Sequence, residues 1–217
     1  MTRIAGVTSA ADAERAALCD LLDELGPSAP TLCEGWRTLD LAAHLTVRDR
    51  APQAWPGLLV SRLAGPTERA QADAIRRPYP ELVAEVRAGA PIWSPMGVPL
   101  LKDAVNLMEY VIHHEDVRRA QPGWGPRAVP STLADQVWTA LRLAARPALR
   151  RAKDGVVLRR AGSDSTITGK GGALTVTVTG DPVELALFVS GRGRHARVEL
   201  TGDDAAVARL QSTPLAF

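Results

Sequence analysis

The chain has 217 residues, of which 46% are hydrophobic and 23% charged, and its formal net charge is +2. Such a length allows one large or two small domains with a proper core, and the composition is ordinary for a globular protein. The near-neutral charge excludes a strong electrostatic attraction to nucleic acid, so we expect no nucleic-acid partner. No apolar run approaches the roughly 18 residues of a membrane span, and the N-terminus has no signal-peptide core, so we expect neither membrane insertion nor secretion.

Cysteine use points to the compartment. Only Cys19 and Cys33 occur. They form no CxxC pair and are too few for a disulfide framework, so a reducing cytoplasm is the expected location. Cys19 falls within the first predicted helix and is interpreted as a small core residue.

Helical patterns fill the first two thirds of the chain. Apolar residues recur at intervals of three and four, the spacing of one helix face. Pro and Gly pairs separate the segments, and one helix is interrupted near Pro78. The predicted helices span 9–25, 39–50, 67–87, 102–120 and 132–145, with a short apolar segment at 58–63.

After Gly155 the apolar period falls to two, which predicts strands joined by Gly-rich turns. The fold class predicted is therefore α+β, with a helical domain over 1–150 and a small α+β domain over 151–217. The predicted elements of the second domain are strands at 156–158, 165–168, 174–179 and 197–200 and helices at 183–189 and 205–210.

The helix over 102–120 carries the main candidate site. Glu109 and His113 are four residues apart, so their Cβ atoms lie roughly 6 Å apart on one face, at the edge of the apolar stripe. A carboxylate near a core is costly unless a charge or hydrogen bonds compensate it, and a divalent cation would do so. The spacing is typical of half a helical zinc site. The alternative is a hydrogen-bonded pair on a partly wet face.

Neighbouring residues leave several interpretations open. His114 points to another side of the helix and is expected at the surface, whereas Glu115 is a rival carboxylate and Asp116 could orient a ligand. His44, on the second predicted helix, adjoins a leucine face and is either a core histidine or a ligand. Asp40, four residues earlier, could hydrogen-bond the His44 ring.

Two segments resemble a known family. Leu32–Leu45, LCEGWRTLDLAAHL, resembles the signature of actinobacterial DinB-like proteins, the family of mycothiol-dependent maleylpyruvate isomerase. Glu109–His113, EYVIH, followed by Asp116, resembles the second part of that signature. Val178–Leu185, VTGDPVEL, is similar to the small C-terminal domain of the same family, which is related to sterol carrier proteins.

The resemblance implies a DinB-like helical bundle followed by a sterol-carrier-like α+β domain. It further implies a divalent metal held by two histidines and a glutamate, which fall on His44, Glu109 and His113. Zinc is the expected metal, with nickel or another divalent ion as alternatives, and mycothiol is the implied thiol cofactor.

The function expected is that of a metal-dependent, mycothiol-using isomerase or thiol S-transferase, with a small thiol and an electrophilic substrate as partners. The alternatives are a metal-binding protein without turnover and a carrier of small apolar ligands. A homodimer is left open. The sequence identifies no further catalytic residue and no residue of a cofactor or substrate pocket.

Overall fold

The structure is a computed structural model that describes residues 9–51, 64–97 and 99–215; the apolar segment predicted at 58–63 lies outside these ranges. The chain divides into two compact units, of which the first ends at Gly125 and the second begins at Pro126. None of the described helices is both long and apolar enough to cross a membrane.

The first unit is a helical bundle in which α5 packs against α1, and α2 packs against α3 and α4. Its largest fully buried side chains include Leu18, Leu41 and Tyr110. The helix predicted over 67–87 breaks at Pro78, which precedes a new first turn containing Pro80. The helices of this unit are α1 Ala10–Leu25, α2 Thr38–Arg50, α3 Ala64–Ile75, α4 Tyr79–Ala88 and α5 Pro99–Arg119.

In its described residues, 126–215, the second unit combines three α-helices with a four-stranded sheet of order β2-β1-β3-β4. β1 pairs antiparallel with β2 and parallel with β3, and β3 pairs antiparallel with β4. The first of its helices, α6, packs against β2 and α7. The elements are α6 Ser131–Ala148, β1 Gly155–Arg160, β2 Thr166–Lys170, β3 Thr175–Gly180, α7 Pro182–Leu187, β4 Glu199–Thr201 and α8 Asp204–Ser212.

The α+β class predicted from the sequence is confirmed, but one strand is displaced. A strand was expected over 197–200, whereas the observed strand is Glu199–Thr201. The backbone N–H of Arg197 donates to Glu184 Oε2 at 2.7 Å instead of entering the sheet. The domain boundary expected between residues 150 and 151 stays a prediction, because compact contact units are not by themselves domains that fold alone.

One glycine of the second unit occupies a position that other residues cannot adopt without strain. Gly191 has φ +86°, in the left-handed region, within the turn that follows α7. A Cβ on Gly191 would also collide with the backbone oxygen of Leu215. The turn therefore depends on glycine for two independent reasons, its dihedral angle and its contact with the C-terminal segment.

Gly191→Ala should lower the free energy of unfolding by about 2–4 kcal/mol, because overpacking adds about 1–3 kcal/mol to a left-handed strain of about 1 kcal/mol. Gly162→Ala is the matched control, since Gly162 has φ +67° but nothing within 4 Å of its Cβ position. Urea unfolding of the two variants checks this. Equal losses at both positions would show that the contact with Leu215 contributes nothing.

Candidate metal centre

His44 lies on the second turn of α2, whose start is fixed by local hydrogen bonds. The backbone N–H of Arg37 donates to Asp40 Oδ2 at 2.8 Å, which satisfies a free donor at the helix N-terminus. The expectation that Asp40 orients His44 is therefore not met, because its carboxylate caps the helix. The His44 ring instead lies 5.1 Å, centroid to centroid, from the ring of Trp36.

Glu109 and His113 meet His44 across the interface of α2 and α5. Glu109 Oε1 lies 3.1 Å from His44 Nε2 and 3.3 Å from His113 Nε2. The two imidazole rings are 5.4 Å apart, centroid to centroid, and nearly perpendicular. The structure thus brings together the three residues named from the sequence, with one potential ligand atom of each within 4.8 Å of the others.

The opposite edge of the His113 ring is held by a buried carboxylate. Asp116 Oδ2 lies 2.9 Å from His113 Nδ1, and the Asp116 side chain has no exposed area. The same oxygen accepts from the Cys33 thiol at 3.3 Å, and the Asp116 backbone carbonyl accepts from the N–H of Leu32. A carboxylate on Nδ1 favours a proton there, which leaves Nε2, on the side of Glu109 and His44, as the ring nitrogen that can bind a metal after losing its own proton.

A buried guanidinium stands behind the Glu109 carboxylate. Arg48, whose side chain is 6% exposed, places Nε 3.5 Å from Glu109 Oε1. Its two terminal nitrogens donate to Asp49 Oδ1 and to Asn106 Oδ1, each at 2.7 Å. Asp49 also accepts from the hydroxyl of Tyr110 at 3.2 Å. The carboxylate that faces the imidazoles therefore belongs to a network spanning α2 and α5.

This network shifts the pKa values of two members of the cluster. Burial alone would raise the pKa of Glu109, but the Arg48 charge and hydrogen bonds from both histidines outweigh it, so this pKa lies well below its usual 4.5. Burial lowers the pKa of His113, but hydrogen bonds, led by that of Asp116, hold it well above its usual 6.5. In the metal-free protein the pair therefore favours carboxylate and imidazolium.

The remaining acidic and histidine candidates of α5 have other partners. His114 was expected at the surface, but it is buried, with Nδ1 2.7 Å from Glu14 Oε1 on α1. The prediction was wrong because α1 covers that side of α5. Glu115 is fully buried and bonds Arg118 and Arg119, so it does not compete with Glu109 for the cluster.

Sequence reasoning missed two residues of this site. Arg48 was not named as a candidate, although it lies one turn after His44, a spacing that could have placed it beside the same neighbours. Cys33 lies in a loop, and no periodicity predicts that it meets Asp116 and His113. With those two residues it forms a second group of three potential ligands, which shares His113 with the first.

Glu109→Gln should make the free energy of unfolding of the metal-free protein depend less steeply on pH in the acid range. A carboxylate whose pKa falls on folding stabilises the protein above its unfolded pKa, here 4.5, and this is lost as the pH drops through the folded pKa. The wild-type free energy of unfolding in urea should therefore decline more steeply below pH 4.5 than that of the variant. The His113 contribution has the opposite sign and is lost as the pH rises.

Glu81→Gln serves as the control, because the Glu81 side chain is 60% exposed and lies 3.7 Å from Arg77. Its acid profile should follow that of the wild type. Superimposable profiles for the wild type and Glu109→Gln would contradict the electrostatic role assigned to this carboxylate.

Comparisons with known proteins identify the family. The sequence profile of the mycothiol maleylpyruvate isomerase N-terminal domain matches residues 8–118. Among curated protein sequences, no relative matches this chain. Two solved structures share the fold: a crystal structure of the mycothiol-dependent maleylpyruvate isomerase, 17% identical with a TM-score of 0.56, and one of its histidine-to-alanine mutant, 16% identical with a TM-score of 0.55.

In each comparison the alignment covers 89% of this chain and 88% of the other, and at such low identity the likeness shows the fold alone. The family match is a separate finding from the sequence, and it spans just over half of the residues. The family predicted from the two signature segments is therefore confirmed, and this chain belongs to the mycothiol maleylpyruvate isomerase N-terminal domain family.

Proposed function

We propose that His44, Glu109 and His113 hold a divalent metal ion, zinc, and that the protein uses it to activate a small thiol for isomerisation or thiol transfer. The observation that carries this proposal is the convergence of both Nε2 atoms on Glu109 Oε1, at 3.1 and 3.3 Å. Two ligands about 2.0–2.1 Å from a tetrahedral zinc ion are about 3.3 Å apart. Each nitrogen therefore lies from Oε1 at about the separation of two ligands on one zinc ion.

The donor set also fits the charge and the solvent access that catalytic zinc needs. Two neutral imidazoles and one carboxylate leave zinc with a net charge of +1 and a free position for a further ligand. The side chains of His44, Glu109 and His113 are 17%, 24% and 10% exposed, so the cluster is partly open to solvent. The Cys33 group is less accessible, since its Asp116 is completely buried.

Asp116 orients His113 for this role. Its hydrogen bond to Nδ1 fixes the orientation of the ring and makes Nε2 a stronger metal ligand. Most metal-bound histidines have such a partner on the other ring nitrogen. Glu109 remains ionised because Arg48 and both imidazoles surround it. These residues therefore present two nitrogen ligands and one anionic oxygen once the metal displaces the Nε2 proton of His113 to solvent.

The chain's own cysteines are poor candidates for the nucleophile. Burial raises the pKa of the Cys19 thiol to about 11, because its effect is larger than the opposing effect of the Arg87 and Arg15 charges. The Cys33 thiol donates to Asp116. An external thiol would supply the nucleophile instead, and a zinc ion bound at the site would favour its thiolate form.

The thiol and the reaction are proposed from the family. The solved relatives are named as mycothiol-dependent maleylpyruvate isomerase, so mycothiol is the proposed cofactor and an electron-poor alkene the proposed substrate class. Addition of a thiol turns the double bond into a single bond that can rotate. Release of the thiol then gives isomerisation, and its retention gives thiol transfer. A cytoplasmic location and a homodimer stay predictions.

An apolar carrier function receives less support from the second unit. Its described groove, about 360 Å³ in volume, is lined by Arg142, Arg146, Thr166, Thr168 and Ile167. Guanidinium and hydroxyl groups around such a groove suit a polar molecule better than a lipid chain.

His44→Ala, Glu109→Ala and His113→Ala should each strip the purified protein of bound metal. Losing one of three ligands should weaken zinc binding by at least the 10- to 100-fold that is typical for loss of an outer hydrogen-bond partner. Elemental analysis and competition with a chromophoric chelator measure this. His195→Ala, in the second unit, is the control and should keep its metal. Stoichiometric zinc in all three variants would refute the ligand assignment.

Mycothiol should alter the visible spectrum of the cobalt-substituted protein by adding a sulfur-to-cobalt charge-transfer band, because a thiolate is a strong ligand of such a site. The loaded protein should then isomerise or thiolate members of a panel of electron-poor alkenes, maleylpyruvate included. A protein that binds cobalt but shows neither the band nor turnover would be a metal-binding protein without this activity.

A further inference from the structure

We infer that Arg48 is a positioning residue. It orients the Glu109 carboxylate toward the two imidazoles and so sets the affinity and the coordination geometry of metal binding. This inference rests on the proposed function, since it concerns the same metal site. The supporting observation is a set of three contacts that share one guanidinium group, with Glu109, Asp49 and Asn106 as the partners.

Each nitrogen of the Arg48 guanidinium faces a different acceptor. Nη1 donates to Asp49 Oδ1, Nη2 donates to Asn106 Oδ1, and Nε lies 3.5 Å from Glu109 Oε1. The guanidinium is planar, so two strong contacts at its ends fix the direction of the third nitrogen. Nε is therefore held at ion-pair distance from Glu109 Oε1, because the other two partners fix the plane of the guanidinium.

Those two partners are themselves fixed. The side-chain NH₂ group of Asn106 donates to the backbone carbonyl of Met96 at 2.8 Å, which leaves its Oδ1 facing Arg48. The second carboxylate oxygen of Asp49, Oδ2, accepts a hydrogen bond from the Tyr110 hydroxyl. Asp49 is 1% exposed and Asn106 is 2% exposed, so neither has an aqueous alternative for these bonds.

Charge balance alone does not require the contact with Glu109. Asp49 lies next to Arg48 in sequence and already supplies one buried carboxylate at 2.7 Å. The contact with Glu109 is additional, and it falls on Oε1, the oxygen that both imidazoles also face. Arg48 thus restrains a side chain with three rotatable bonds at the point where the proposed ligands converge, which reduces the ordering needed when a metal binds.

Arg48→Met should bind zinc about 10- to 100-fold more weakly than the wild type, the range typical for the loss of an outer-sphere partner of a metal ligand. Its cobalt-substituted form should show a changed visible absorption spectrum, because a Glu109 that is no longer oriented alters the coordination geometry. Competition with a chromophoric chelator gives the affinity. The spectrum is a readout that a purely structural role would leave unchanged.

Two further variants sharpen the test. Arg48→Lys keeps the charge but lacks the planar fork, so it should recover part of the affinity while its cobalt spectrum stays altered. Arg50→Met is the matched control on the same helix, because the Arg50 guanidinium faces α4, where it bonds the backbone carbonyls of Glu85 and Gly89 and pairs with the Glu85 carboxylate. Its zinc affinity should stay within about twofold of the wild-type value, inside the scatter expected for a residue remote from the site.

Wild-type affinity and an unchanged cobalt spectrum in a folded Arg48→Met protein would overturn the inference. If this variant does not fold, Arg48→Lys decides, and a wild-type spectrum with wild-type affinity in that protein would overturn it equally. A wild-type protein that binds no divalent metal would instead refute the proposed function. The two failures are therefore distinguishable in one set of measurements.

Discussion

The first unit is built around a carboxylate that is largely withdrawn from water between two helices. Glu109 is 24% exposed, and its Oε1 atom faces two imidazoles and a guanidinium. An ionised carboxylate in such surroundings is costly unless positive or hydrogen-bonding groups approach it from several directions. Side chains of α2 and α5 supply these groups, so the polar bridge between these two helices and the candidate metal centre are one structural feature.

Support for this centre extends outward in two directions. On one side Asp116 holds the His113 ring, while a loop hydrogen-bonds the backbone of Asp116 through Leu32. On the other side Arg48 contacts Glu109 and is held by Asn106. His113 and Glu109 thus each have a buried partner that limits their orientation, and ligands restrained in this way lose little conformational entropy when they capture an ion.

The sequence indicated the ligands better than it indicated their surroundings. The spacing of Glu109 and His113 follows from helix geometry alone, and His44 entered through the family signature. The burial of His114 could not be predicted, because it depends on Glu14, a hundred residues earlier, meeting it across a helix interface. Arg48 was missed for a related reason: a charged residue on a helix is ordinarily solvated, and only its tertiary partners bring it inside.

The link between Asn106 and Met96 has a consequence for evolution at this site. Asn106 bonds the backbone carbonyl of Met96, so a substitution at 96 changes the side chain and leaves this acceptor in place. Gly97 has no such latitude, since a Cβ there would strike the carbonyl oxygen of Pro91. Ile92 and Trp93 protrude from the same turn, 88% and 59% exposed. Substitutions at 92, 93 and 96 therefore leave the backbone acceptor of Asn106 unchanged, whereas a side chain at 97 would displace the turn that carries it.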